Sequence, residues 1–156
     1  MLSKIEQQLN ELGLQLPNIP PSKGVYHSCL QVGNLLYFSG HVSINTDGSF
    51  ITGKAGAEVN NEEAKRAALQ CGLAILASVK NSIGSLDRVK RVVKLLGMVN
   101  AIPEFKDHAL IINGCSELYV QLWGNEKGKG VRSAVGMGSL PNNVTVEVEG
   151  IFELED

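Results

Sequence analysis

Arg132 is the residue whose position in this 156-residue sequence best suits it to bind a ligand. It begins an otherwise apolar segment, VRSAVGM, directly after the glycine-rich stretch GNEKGKG. A guanidinium placed there can bind a carboxylate through two parallel hydrogen bonds. An arginine that simply reaches solvent from the end of a strand fits the same pattern, so both interpretations stay open.

Two carboxylates near the end of the chain form the second candidate group. Glu147 and Glu149 alternate with Val144, Val146 and Val148. This period of two places both carboxylates on one face of a strand, opposite the valines. Such a face is most often solvated. If a subunit contact buried it, the same carboxylates would lie in a binding site.

The other reactive side chains form no recognisable site. His27, His41 and His108 are scattered without metal-ligand spacing, and a single histidine is more often structural than catalytic. His41 stands out slightly, because it follows the turn-like pair Ser39-Gly40 at the end of a strand. The three cysteines are far apart and include no C-x-x-C pair, which predicts neither a zinc site nor a disulfide framework. No nucleotide-binding glycine motif is present.

Composition narrows the class of protein. Hydrophobic residues make up 44% and charged residues 19%, which favours one folded domain over a disordered chain. A net charge of −2 and only 5% aromatic residues do not favour nucleic-acid binding. Neither a signal peptide nor an apolar stretch of about 20 residues is found. We therefore expect a cytoplasmic protein with no membrane association.

The elements that must position these residues can be predicted from periodicity. Residues 1–21 form an N-terminal helical arm, with Ser3 and Glu6 as a capping box and Gly13 as the stop, followed by a proline-rich passage. Residues 22–156 form a single domain. Its order is β-β-β-α-β-α-β-β, an α+β fold with helices on one face of a mixed sheet. The predicted strands are Tyr26–Val32, Leu35–Gly40, a short strand after the turn within Ile44–Phe50, Val89–Val99, Val131–Met137 and Val144–Phe152, and the helices are Asn61–Ile83 and Phe105–Leu122.

Several segments resemble the Rid family, the YjgF-like proteins also known as L-PSP endoribonucleases or translation inhibitors. Arg132-Ser133-Ala134-Val135, Leu140-Pro141 and the run VTVEVE that ends at Glu149 are similar to that family's C-terminal signature. Upstream, VGNLLYFSG at residues 32–40 is similar to its G-N-x-[IVL]-x-x-S-G segment. The resemblance covers roughly residues 24–152.

The resemblance implies a chorismate-mutase-like (YjgF-like) fold, with two helices on one face of the sheet, assembled as a homotrimer with ligand clefts between subunits. The activity it implies is hydrolysis of 2-imino acids, such as 2-iminobutanoate, to 2-oxo acids and ammonia. The partner would be a small-molecule carboxylate substrate, and no metal or organic cofactor is needed. Three alternatives stay open: a non-catalytic binder of small carboxylates, an endoribonuclease or translation inhibitor, and a purely structural trimer.

The family's functional positions map onto individual residues of this sequence. Arg132 matches the arginine that binds the substrate carboxylate, and Glu147 matches the carboxylate that holds the attacking water. Tyr26 stands where a tyrosine lines the cleft, while Gly40 and Asn113 match positions near the ligand.

Departures from the family pattern fall close to these positions. Ala134 occupies a substrate-binding position where the family usually has cysteine, and alanine serves there if the backbone carbonyl makes the contact. Gly136 replaces a residue that is usually polar or acidic, a change that enlarges the cleft. The loop from Trp123 to Gly130 and the arm of residues 1–21 are longer than in short members of the family.

Overall fold

Three α-helices and five strands make up the chain, which the computed structural model describes over residues 1–156. The helices are α1 (Lys4–Glu11), α2 (Asn61–Ile83) and α3 (His108–Lys127). The strands are β1 (Cys29–Val32), β2 (Leu35–Val42), β3 (Val89–Asn100), β4 (Val131–Met137) and β5 (Val146–Leu154). None of the helices has the length and apolar character that crossing a membrane requires.

One mixed sheet contains all five strands, in the order β1-β2-β5-β3-β4. The pairs β1–β2, β2–β5 and β5–β3 are antiparallel. The pair β3–β4 is parallel, because α3 carries the chain back along the sheet between these two strands. The helices α2 and α3 pack on one face of the sheet and leave the other face open. The predicted α+β fold, with two helices on one face, is confirmed.

The alternation in β5 decides which of its side chains are buried. Val146, Val148 and Phe152 lie under the helices and are fully buried. Glu147 is half-buried and Glu149 is exposed, and both belong to the open face of the sheet. The predicted separation of valines from carboxylates is therefore observed.

Small residues let α2 approach its neighbours closely. The predicted helix over Asn61–Ile83 is confirmed. Its small residues Ala64, Ala67 and Cys71 are fully buried. Opposite them, Gly114 of α3 lies so near that an added Cβ would be 2.1 Å from the Lys65 carbonyl oxygen. The backbones of the two helices are thus in direct contact at this point.

The helix of the N-terminal arm packs onto the same core. The predicted capping box between Ser3 and Glu6 is present at the start of α1. The Asp87 carboxylate accepts the backbone N–H of Ile5 at 3.1 Å, which places a negative charge at the positive end of the helix dipole. Ile5 and Leu9 are buried in the core.

The predicted third strand does not form. The segment from Ile44 to Phe50 contains a single isolated antiparallel bridge, which joins Ile44 to Phe50. The Asn45 amide donates to the Ser49 carbonyl oxygen at 2.8 Å, so the turn closes the segment onto itself. Pairing resumes only beyond Phe50, where Thr52 forms an isolated bridge with Val144, and the sheet has five strands rather than six.

The predicted ends of α3 and of the outer strands need correction. The helix starts at His108 rather than Phe105, because the Phe105 amide closes a turn onto Ile102 after Pro103. It ends at Lys127, so the stretch predicted as a flexible loop from residue 124 begins with a further helical turn. A positive φ of 83° at Gly124 breaks the helix axis between the two parts. Strand β1 begins three residues later than predicted and β5 two residues later.

Candidate functional site

Arg132 and Asn113 line a cavity of about 600 Å³ between α3 and the edge strand β4. The guanidinium is fixed on α3: Nη1 donates to Ser116 Oγ at 3.0 Å and Nη2 donates to the Ala109 carbonyl oxygen at 3.2 Å. A guanidinium carries five N–H donors. The remaining donors of Arg132 are available to an acceptor in the cavity.

Charge in this first cavity favours an anionic ligand. Lys129 lines it together with Arg132. The one carboxylate among the lining residues, Glu117, is paired with Lys65 at 3.0 Å. Opposite charges within a few ångströms largely cancel, which leaves the two cations as the dominant field in the cavity.

Tyr26, Gly40 and Glu147 line a second cavity, of about 510 Å³. Residues 19–23 of the arm and its continuation form part of its wall. Burial, and secondarily the like charge of Glu149, raise the pKa of Glu147 above its usual 4.5. A carboxyl group with a raised pKa is better suited to exchange protons near neutral pH.

Gly40 is required where it stands because the Glu147 carboxyl lies against its Cα. A Cβ on Gly40 would be 2.1 Å from Glu147 Oε1, far inside van der Waals contact. The close approach arises at a register shift in the β2–β5 pairing between Phe38 and His41. Such a bulge turns the strand locally and re-aims the groups next to it.

Two further residues of the second cavity were not predicted from the sequence. Lys23 contributes a cation from the segment that follows the arm. Asn142 lies in the short turn Pro141–Asn143 and has a positive φ of 55°. Asparagine adopts this left-handed conformation more readily than most residues. The sequence Leu-Pro-Asn-Asn could therefore have indicated a turn at this position.

The two cavities do not meet within one chain. In the sheet register Arg132 is paired with Leu95 and is directed to the α3 side. Glu147 is paired with Met98 and belongs to the opposite, open face. Ala134 follows Arg132 on the α3 side, packs against the hydrophobic core and lines neither cavity. The predicted site residues are thus divided into an Arg132 half and a Glu147 half.

The remaining reactive side chains form no site. The three cysteines are free, and burial raises the pKa of Cys29 to about 11 and that of Cys115 to about 12. These thiols are therefore protonated at neutral pH. No three side chains of histidine, cysteine, aspartate or glutamate come together in a way that could hold a metal ion.

Residues 6–153 match the protein-family model described as "YjgF/chorismate mutase-like, putative endoribonuclease". The chain belongs to the YjgF-like family. The match begins within α1, so similarity to the family extends further towards the N-terminus than residues 24–152. In this YjgF-like chain, part of the N-terminal arm is therefore shared with relatives.

Individual relatives agree with this assignment. Protein TCP17 of Trypanosoma cruzi is 36% identical over 153 residues, which cover 98% of this chain and 96% of that protein. Among solved structures, the protein Atu1372 of Agrobacterium tumefaciens is 41% identical with a TM-score of 0.88, covering 97% of this chain and 94% of that one. A "putative endoribonuclease" of Shewanella oneidensis is 26% identical with a TM-score of 0.91, covering 97% and 100%. The chorismate-mutase-like fold follows from these matches.

Proposed function

We propose that this YjgF-like protein hydrolyses 2-imino acids to 2-oxo acids and ammonia. The observation that carries the proposal is the combination of an anchored guanidinium at Arg132 with a half-buried carboxyl of raised pKa at Glu147, each on its own cavity. A 2-imino acid has one carboxylate next to one electrophilic C=N group. These two residue types match the two ends of that substrate.

Arg132 binds the carboxylate of the substrate. Its two hydrogen bonds to α3 restrict the guanidinium before a ligand arrives, so less side-chain freedom is lost on binding. Fixing the carboxylate also fixes the direction of the adjacent C=N bond. Such positioning is a large part of catalysis in reactions between a bound substrate and water.

Glu147 orients the attacking water and takes one of its protons. The water oxygen bonds to the imine carbon while the C=N π electrons move to nitrogen. The proton held by Glu147 passes to that nitrogen, which gives a carbinolamine. Glu147 then transfers the hydroxyl proton of the carbinolamine to its amino nitrogen, the C–N bond breaks as the C=O bond forms, and ammonia leaves a 2-oxo acid behind. General acid–base assistance of this kind contributes about 10²–10⁴-fold to a rate.

A complete site requires the Arg132 half of one subunit and the Glu147 half of another. The two halves lie on opposite faces of the sheet within a single chain. We therefore propose a homotrimer in which each cleft between subunits contains one half from each neighbour. Closed cyclic assemblies repeat one such heterologous contact around the ring.

The first test is imine hydrolysis itself. An amino-acid oxidase generates 2-iminobutanoate in the presence of semicarbazide, which traps the free imine as a semicarbazone. Enzymatic hydrolysis competes with this trapping, so slower formation of the semicarbazone reports accelerated hydrolysis of the imine. We expect acceleration by the wild type and none by Arg132→Ala or Glu147→Gln. A well-folded wild type without any acceleration would exclude this substrate class.

The division of the site between subunits has a test of its own. Arg132→Ala and Glu147→Gln subunits are each inactive, but a mixed trimer contains one cleft in which both residues are wild type. Co-expression should restore about one quarter of wild-type activity in a statistical mixture of cyclic trimers. Mixtures that stay inactive, although native mass spectrometry shows mixed trimers, would place both residues in the same subunit's site.

Endoribonuclease activity is the second candidate, because it is in the name of the matched family and of the Shewanella relative. Binding through phosphates would weaken steeply with salt. Incubation with single-stranded RNA at low and moderate salt therefore decides between the two activities. A carboxylate binder would give a third result: Arg132-dependent binding of 2-oxobutanoate without turnover of either the imine or RNA.

A further inference from the structure

His41 lies beneath the Glu147 cavity in a fully satisfied hydrogen-bond arrangement. The side chain is only 7% exposed. Its Nδ1 is 2.6 Å from the Ser39 carbonyl oxygen, and its Nε2 is 2.8 Å from Ser78 Oγ on α2. A carbonyl oxygen can only accept, so Nδ1 carries the proton. In the neutral ring Nε2 then accepts the Ser78 hydroxyl proton.

The bond to Ser39 determines the orientation of a particular peptide group. The carbonyl of Ser39 belongs to the planar peptide that also contains the Gly40 nitrogen. On the β1 side the same segment is held by the Ser39 amide, which donates to the Ser28 carbonyl oxygen at 2.9 Å. His41 and Ser78 provide the corresponding attachment on the α2 side. The bulge is thus fixed from both directions.

The Glu147 carboxyl rests against this peptide and makes no hydrogen bond within the chain. The causes of its raised pKa are burial and the charge of Glu149, with no hydrogen bond among them. Its carboxyl lies against Gly40, where an added Cβ would be 2.1 Å from Oε1. A shift of the Ser39–Gly40 peptide would therefore move the carboxyl directly.

We propose that His41 is a positioning residue, which holds the Ser39–Gly40 peptide in the place against which the Glu147 carboxyl rests. The catalytic part of this inference rests on the proposed imine hydrolysis. A displacement of about 1 Å at a reacting group can cost about 10²-fold in rate. A histidine used only for packing would not need two buried polar partners, since an apolar side chain fills such space without requiring hydrogen bonds.

The test compares three variants at this arrangement with one matched control. His41→Leu removes both hydrogen bonds, whereas His41→Gln retains one N–H donor and one oxygen acceptor at the end of the side chain. Ser78→Ala removes only the donor to Nε2. Tyr119→Phe is the control, because its fully buried hydroxyl donates to the Gly72 carbonyl oxygen and Tyr119 lines neither cavity.

We expect a split between kcat and KM. His41→Leu should lower kcat about 100-fold and leave KM within about twofold, because the Arg132 half is untouched. His41→Gln should recover most of the loss, Ser78→Ala should lie between them, and Tyr119→Phe should match the wild type. Equal kcat in wild type and a folded His41→Leu would overturn the proposal, as would failure of His41→Gln to exceed His41→Leu.

A second measurement does not need turnover. Carbon-13 labelling of the glutamate carboxyls follows the titration of Glu147 by NMR, and its pKa should fall towards 4.5 in His41→Leu but not in His41→Gln. An unchanged Glu147 signal in His41→Leu would contradict the proposal. If the wild type hydrolyses no imine while this signal still responds to His41, the positioning role stands and the proposed reaction is wrong.

Discussion

Contact with Gly40, rather than hydrogen bonding, holds the Glu147 carboxyl in place. Burial on one side and the Gly40 Cα on the other confine the carboxyl, and the contact with Gly40 lies at the bulge in β2. A group confined in this way is sensitive to changes as small as one methyl group. Two predictions at the level of single residues follow from this confinement.

Gly40→Ala should lower activity sharply with little loss of stability. The new Cβ would fall 2.1 Å from Glu147 Oε1, and the flexible end of the glutamate can move away at low cost. We expect kcat for imine hydrolysis to fall at least about tenfold while the melting temperature shifts by only a few degrees. Gly138→Ala is the matched control, because no atom lies within 4 Å of its added Cβ. Equal losses in both variants would contradict the prediction.

Glu149→Gln should move the acid limb of the pH–rate profile. Because the pKa of Glu147 is raised, its catalytic carboxylate form is lost at a higher pH than the usual 4.5, so activity should decline from above that value on acidification. Removing the like charge of Glu149 lowers this pKa and shifts the limb to lower pH. The measurement is kcat against pH, with exposed Glu155→Gln as the control expected to match the wild type.

At the level of elements, the N-terminal helix behaves as a part of the core. Ile5 and Leu9 on the apolar face of α1 are buried in the core. The Asp87 carboxylate accepts a backbone N–H from the first turn of the helix. A helix of eight residues is too short to be stable alone in water, so its helical state depends on this packing. The arm and the domain should therefore unfold together.

Leu9→Ala tests this dependence. Leu9 is 2% exposed, and its truncation should lower the free energy of unfolding by about 2–5 kcal/mol through lost burial and the cavity that remains. Leu12→Ala, at a side chain that is 45% exposed, should cost much less. Urea denaturation gives both values, and equal effects would mean that α1 does not contribute to the core.

At the level of the whole molecule, the uncovered face of the sheet is the most prominent feature. Apolar side chains at 36–68% relative exposure stand on this face of β1, β2 and β4: Leu30, Val32, Tyr37, Val131 and Val135. An apolar patch of this kind is usual for protein–protein contacts. The proposed trimer would cover it and bring the two half-sites together.

Tyr37→Asp should therefore dissociate the assembly and abolish turnover together. A carboxylate in an apolar contact carries a desolvation cost without a partner to offset it. Analytical ultracentrifugation and the imine assay measure the two effects. Leu12→Asp places the same charge at an exposed apolar position just after α1 and should change neither. A trimeric, active Tyr37→Asp variant would remove this face from the interface.

The sequence by itself determined the elements whose signals are local. The capping box at Ser3, the helix over Asn61–Ile83 and the alternation at Glu147 and Glu149 depend on neighbours within a few residues, and all are observed. The family motifs around Arg132 also lie in short stretches. The family and the fold class could therefore be read without coordinates.

Tertiary structure decided what depends on distant pairings. The segment from Ile44 to Phe50 does not become a strand because its turn closes Asn45 onto Ser49, and pairing with the chain before β5 begins only after Phe50. The separation of Arg132 from Glu147 depends on the register of β5, β3 and β4, which brings together residues far apart in the chain. The attachment of His41 to Ser78 of α2 likewise has no signal in the residues around either one. Contacts of this kind are fixed by how whole elements pack, and a local pattern contains no information about them.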